Sequence, residues 1–172
     1  KITSFTFYSQ DKPNLYFLTL EYTQKPPDDL IEMLGRLFEA NTNYQRRKDE
    51  RIELNPGNIK LLGIDGKEGA LVVDGQARKC IIRDLSFSGA KILLFGAKAE
   101  HVEKAAALQL YAQKQRLLIH GRIVRFEEVV GRDDIGAFGI QFFEDETPMS
   151  YKMLINNTLQ GTRGSDKTKK NK

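Results

Sequence analysis

Cysteine is nearly missing from this chain: Cys80 is the only one in 172 residues. A single thiol excludes an intrachain disulfide framework and any multi-cysteine zinc site. It fits a reducing cytosol, and we expect a cytoplasmic protein. Histidine is scarce too, with only His101 and His120. Neither has a cysteine or carboxylate at metal-ligand spacing, so both read as structural. No apolar run approaches the ~20 residues that a membrane helix needs. No signal-peptide pattern opens the chain. It starts instead at Lys1 on a strand-like run, and reads as a piece of a longer protein. Catalytic signatures are missing as well. There is no nucleophile elbow, no phosphate-cradling GxxxxGK(S/T) loop and no HExxH. Gly136 and Gly139 lack the spacing of a dinucleotide-binding turn. We expect no enzyme, no cofactor and no metal.

An excess of charge is missing from the body of the chain. The net charge is +4. From Gly161 onward, five basic residues stand against Asp166 alone, and they account for all of it. A nucleic-acid-binding barrel should carry its excess on the folded face. Residues 161–172 read as a disordered basic tail.

Thr-, Phe- and Tyr-rich runs at 2–8 and 15–22 predict a β-hairpin. Pro26-Pro27-Asp28-Asp29 signals a helix start, and Leu30, Ile31, Leu34, Leu37 and Phe38 make one apolar stripe ending near 41–43. Residues 1–43 are either the end of an upstream domain or an extension. Residues 44–51 are polar and read as a loop or mobile arm. Short apolar runs follow: 52–54, 59–64, 70–73, 77–85, 90–95, 107–111, 117–126 and 137–143. Asp65-Gly66 and Asp74-Gly75 lie between apolar runs, as hairpin turns do. Thr147 and Pro148 then start a helix with a stripe at Tyr151, Leu154, Ile155, Thr158 and Leu159, stopped at Gly161. The expectation is a mainly β fold: a small antiparallel barrel of six to seven strands over 44–160, with a C-terminal helix.

Two polar groups stand out against this frame. Arg46-Arg47-Lys48-Asp49-Glu50-Arg51 puts Arg47 and Arg51 four residues apart, with Arg46 beside them. Asp84-Leu85-Ser86-Phe87-Ser88-Gly89 falls at a strand-to-strand corner. Arginine's planar fork matches a phosphate or the O6/N7 edge of guanine. Aspartate accepts from guanine's N1 and N2 donors, serine donates to phosphate oxygens, and glycine admits close approach. The combination describes a pocket for something guanine-like and phosphorylated. On composition alone the arginines would be solvated charge beside Asp49, Glu50 and Glu53, and Asp84 a turn residue capping its own backbone.

Arg47-x-x-x-Arg51 followed by Asp84-x-Ser86-x-x-Gly89 resembles the paired motif of PilZ domains, bacterial receptors for cyclic di-GMP. Gly121-Arg122-Ile123-Val124-Arg125 and 136–142 resemble that family's later barrel strands. The resemblance covers about 44–159. It implies that Arg47 reads the Hoogsteen edge of one guanine, and that Arg51 binds phosphate or stacks on a base. Asp84 would accept from a guanine N1/N2 edge, and Ser86 would contact phosphate or base. Gly89 would serve positive φ or ligand approach. An arginine at the place of Arg46 goes, in the family, with two stacked ligand molecules. The implied partners are cyclic di-GMP and a protein partner or neighbouring domain that receives a conformational signal. The implied outputs include motility and virulence. Kept beside this reading are a nucleic-acid-binding barrel and a protein-interaction module without ligand.

Overall fold

The Thr- and Phe-rich segments at the start of the chain pair as their composition predicts. β1 (Ile2–Phe7) runs antiparallel to β2 (Tyr16–Leu20), with Ile2 opposite Leu20 and Phe7 opposite Tyr16. The structure is a computed structural model. It describes residues 1–7, 16–21, 27–46, 50–96 and 99–169, without the side chains of 7, 45, 46 and 162–169. These fall into two units, Lys1–Arg36 and Leu37–Lys172.

Helix α1 (Asp28–Arg46) begins in the first unit and ends in the second. The Pro27 carbonyl accepts its first bonds, from Leu30 and Ile31. Asp28 and Asp29 complement the positive end of the helix dipole. The expected end at 41–43, with a loop from residue 44, is corrected: Tyr44 and Arg46 are helical. The cause is a stripe that hydropathy alone does not show. Ala40, Asn43 and Tyr44 are buried at i, i+3 and i+4, and Asn43 Nδ2 donates to Asn156 Oδ1 at 2.7 Å. A buried amide whose hydrogen bond is made can occupy a core-facing helical position. The expected stripe residues Ile31, Leu34 and Phe38 stay exposed.

The second unit is a closed antiparallel barrel of six strands. These are β4 (Glu68–Val73), β5 (Gln76–Leu85), β6 (Gly89–Phe95), β7 (Ala105–Ala112), β8 (Gln115–Val129) and β9 (Arg132–Phe142). β4 pairs with β5 and β7, β8 joins β7 to β9, and β6 closes the circle between β9 and β5. A short β3 (Ile52–Glu53) adds to β5. Asp74 and Gly75, both at positive φ (51° and 77°), make the β4–β5 turn.

Inward positions follow the period-two pattern. Ile82, Ile92, Leu94, Leu108, Ile119, Ile123, Phe138 and Ile140 are all buried. A bulge between Ile123 and Arg125 shifts the phase in β8, so Phe126 turns toward the core while Val124 is exposed.

The apolar run at 59–64 is not a strand, and Asp65-Gly66 is not a hairpin. Residues 56–62 form helix α2 (Pro56–Leu62). The Asn55 side chain accepts from the Asn58 N–H, Pro56 takes the first helical position, and Gly63 closes the end in the left-handed region at φ 64°. These caps outvote the β-branched content of a short run. After a single 3-10 turn at Glu144–Glu146, helix α3 (Met149–Lys169) packs Tyr151, Ile155 and Leu159 into the core. Each such side chain contributes about 1.5–3 kcal/mol. Two expectations at its ends are corrected. Thr147 does not cap it: its hydroxyl donates to the Phe143 carbonyl at 2.8 Å, and the Pro148 carbonyl accepts from Tyr151 and Lys152. The helix passes Gly161 and reaches Lys169, where a stop at Gly161 was expected.

Candidate functional site

Arg51, from the first polar group, meets the second group at one corner of the barrel. β3 pairs with the end of β5, Ile52 opposite Leu85 and Glu53 opposite Asp84, and the Leu54 N–H donates to the Arg83 carbonyl at 2.9 Å. That pairing sets Arg51 beside the second motif. Arg51 Nη1 lies 2.6 Å from Asp84 Oδ1, with Arg51 half exposed and Asp84 mostly covered. An irregularity in β5 between Ile82 and Asp84 turns Asp84 outward while Leu85 keeps its place in the core.

The turn after Asp84 is built by its own side chains. Ser86 is fully buried. Its Oγ donates to the Gly89 carbonyl and accepts from the Gly89 N–H, both at 3.1 Å, and the backbone Ser86 N–H to Gly89 O bond is 2.8 Å. Ser86 therefore shapes the turn, and in this conformation its hydroxyl faces inward, not toward a ligand. Gly89 is required for a third reason that the sequence does not reveal. Its φ is not positive, and a Cβ there would sit 2.2 Å from the Ile140 carbonyl oxygen. The glycine lets β6 approach β9. Ser88, to which no role was given, lines the open side of the corner. So do Arg51, Gly89, Arg125 and Gln141, around a groove of about 320 Å³.

Beneath the corner lies an aromatic cluster. Phe87 is fully buried, and its ring meets Tyr44 edge-on, with centroids 5.6 Å apart at 80°. Tyr44 belongs to the last turn of α1, and Lys152 Nζ of α3 stands 4.0 Å over its ring. Tyr151 stacks edge-on with Phe142 and donates its hydroxyl to the Ser86 carbonyl at 2.7 Å. Burial first, then the Asp84 and Tyr44 charges, holds the Tyr151 hydroxyl well above its ordinary pKa. It stays a donor throughout the neutral range. Cys80 is buried in the core, and burial pushes its thiol up to about 12, so it is inert as a nucleophile.

Of the six site residues expected from the sequence, four are described with side chains and lie together: Arg51, Asp84, Ser86 and Gly89. Arg46 ends α1, and its side chain is not described. Arg47 lies outside the described residues. Among the described residues, no group of His, Cys, Asp and Glu is placed to hold a metal ion. A larger hollow of about 570 Å³ near the β8–β9 hairpin is lined by Phe126, Gly131 and Ile135 and by none of the expected site residues.

Buried side chains fill the lumen of the barrel, so the candidate site is the corner on its outer wall. Residues 45–160 match the PilZ domain model, and the chain belongs to that family. Residues 1–41 match the PilZN3 domain. A "Cyclic di-GMP binding protein" of Treponema denticola is 41% identical over 165 residues, which is 95% of this chain and 52% of that protein. The chain thus spans about half the length of this relative. The PlzA protein of Borreliella burgdorferi, solved in complex with c-di-GMP, is 27% identical with a TM-score of 0.49, over 92% of this chain and 59% of that one. The PilZ domain of YcgR from Escherichia coli, solved with c-di-GMP, is 15% identical with a TM-score of 0.44, over 70% of this chain and 94% of that one. No helix among the described residues is long and apolar enough to cross a membrane.

Proposed function

We propose that this chain is a cyclic di-GMP receptor module, not an enzyme, and that it binds the ligand on the outer wall of the barrel. The observation that carries this is the Arg51–Asp84 pair beside the Ser86–Gly89 turn. The relative at 41% identity, whose name states the same ligand, supports it. Asp84 accepts from a guanine edge, Arg51 turns from Asp84 to a phosphate or base, and Gly89 and Ser88 line the floor. Arg47 reads the other edge of a guanine, and Arg46 takes part when two ligands stack.

Binding becomes a signal through α1. Its last turn is held to the motif turn by Tyr44 and Phe87, so contacts of the arginine segment with the ligand bias that helix. A ligand shifts such an equilibrium only by its differential affinity for the two states. Residues 44–160 form the receptor, and 1–43 belong to the neighbouring domain that receives the signal. The cytoplasm is the compartment this reading implies.

The test is calorimetric titration with cyclic di-GMP, repeated with cyclic di-AMP and GTP. Tight binding of the first alone is expected. A bidentate arginine–guanine contact is worth ~1–3 kcal/mol, so Arg47→Ala should weaken binding roughly ten- to a hundredfold. Unchanged affinity in that variant would refute the assignment of Arg47.

A further inference from the structure

The strand register lays out a row of residues that no motif announces. Asp84 on β5 pairs with Lys91 on β6, Lys91 with Gly139 on β9, and Gly139 with Arg125 on β8. Cross-strand partners stand on one side of a sheet. The neighbouring positions Ile92 and Phe138 are buried, so this row faces outward. It begins at the motif carboxylate and ends three strand steps away, about 14 Å along the sheet.

The chemistry of the row is specific. A cation stands at 91, no side chain at 139, and a second cation at 125. Arg125, about half exposed, lies against the sheet. A Cβ on Gly139 would lie 3.4 Å from its Cβ, 3.6 Å from its Nε and 4.0 Å from its Nη2, so the guanidinium lies folded across the glycine. Glu127 holds it there: Arg125 Nε to Glu127 Oε1 is 2.9 Å. The other oxygen of the same carboxylate takes Lys91 Nζ at 2.7 Å. One anion thus clamps two cations over a bare strip of backbone.

Charge makes the arrangement meaningful. Cyclic di-GMP carries two phosphates. Arg51 and Asp84 cancel each other, and Lys91, Arg125 and Glu127 together carry one net positive charge on the outer face, with Arg125 and Gly139 lining the groove. We propose that Lys91 and Arg125 form the second half of the binding site, taking a phosphate of the dinucleotide over the Gly139 floor. The Glu127 carboxylate stands in for that phosphate and keeps both cations aimed until the ligand displaces it. This rests on the cyclic di-GMP reading above and adds to it three side chains that lie outside the arginine and aspartate–serine motifs.

The experiment is calorimetric titration of the whole chain with cyclic di-GMP at low and high salt. The proteins are wild type, Arg125→Ala, Lys91→Ala, Glu127→Gln and Arg51→Ala, each checked for an unchanged thermal melt. Arg125→Ala and Lys91→Ala should each weaken binding roughly three- to thirtyfold and flatten its salt dependence. Glu127→Gln should tighten binding roughly two- to tenfold, because it frees both cations and removes a competing anion. A merely structural ion pair gives no gain in affinity when its carboxylate is neutralised. If Arg51→Ala weakens binding while the Arg125, Lys91 and Glu127 variants all bind within twofold of wild type, the row is not part of the site and the receptor reading stands. If wild type does not bind cyclic di-GMP at all, both fall.

Discussion

The contact between Tyr44 and Phe87 joins α1 to the turn after Asp84, where the proposed signal would leave the proposed site, and its worth is measurable. The rings meet edge-on at 5.6 Å, and both side chains are buried. Such a pair contributes about 0.5–1.5 kcal/mol beyond the area it buries. Phe87→Leu leaves an apolar side chain in the core and should cost about 1–2 kcal/mol in all. Tyr44→Leu should cost a similar amount, including about 0.5–1 kcal/mol for the lost Lys152 cation over the ring. Urea denaturation of wild type, the two single variants and the double variant isolates the pair. The double variant should be about 0.5–1.5 kcal/mol more stable than additivity demands. The same cycle read by cyclic di-GMP titration should show each single variant weakened roughly two- to tenfold, and the double variant no weaker than the worse single. A coupling below about 0.3 kcal/mol in stability, or additive losses in affinity, would refute the idea that this contact places α1 relative to the motif turn.

Two further predictions follow from the same corner. Gly89→Ala drives a Cβ to 2.2 Å from the Ile140 carbonyl oxygen, which belongs to the backbone and has no rotamer to escape into. A loss of about 2–3 kcal/mol is expected from overpacking, and a urea midpoint equal to wild type would contradict the close-approach role. Tyr151 keeps its proton in the folded state beyond the ~10 at which the unfolded chain releases it. The folded state then binds more protons, so stability is full below that pH and declines as pH rises above it. Cys80 acts in the same direction from its ordinary 9.0 up to about 12. Melting temperatures between pH 8 and pH 11 should fall, and Tyr151→Phe should shallow the fall while lowering the plateau by about 1 kcal/mol for the lost Ser86 bond. A flat alkaline profile in wild type contradicts this.

Much of the architecture was legible because its signals are local. Asp74-Gly75 between apolar runs dictates a hairpin, and the alternation over 137–143 dictates which side of β9 faces the core. Where signals were short or non-local, reading failed. The run 59–64 has strand-like content, yet Asn55, Pro56 and Gly63 cap it as a helix. The end of α1 looked like a loop because its buried stripe is Ala40, Asn43 and Tyr44, held in part by an amide pair 113 residues apart in sequence. The nearness of Arg51 and Asp84 was implied by the family resemblance, not by composition or spacing. The inward turn of Ser86 and the backbone contact at Gly89 were not, since both depend on what β9 brings beside the corner. The Lys91–Gly139–Arg125 row is invisible without strand register, because its members sit 34 and 14 residues apart and belong to no spacing pattern.

A crystal structure of the chain with cyclic di-GMP bears most directly on the central claim. The dinucleotide is expected on the outer wall, with a guanine edge within hydrogen-bond distance of Asp84 and with Arg51 swung from that carboxylate to the ligand. Ligand seated instead in the hollow beside Phe126 and Gly131, with the Arg51–Asp84 pair intact, would contradict it.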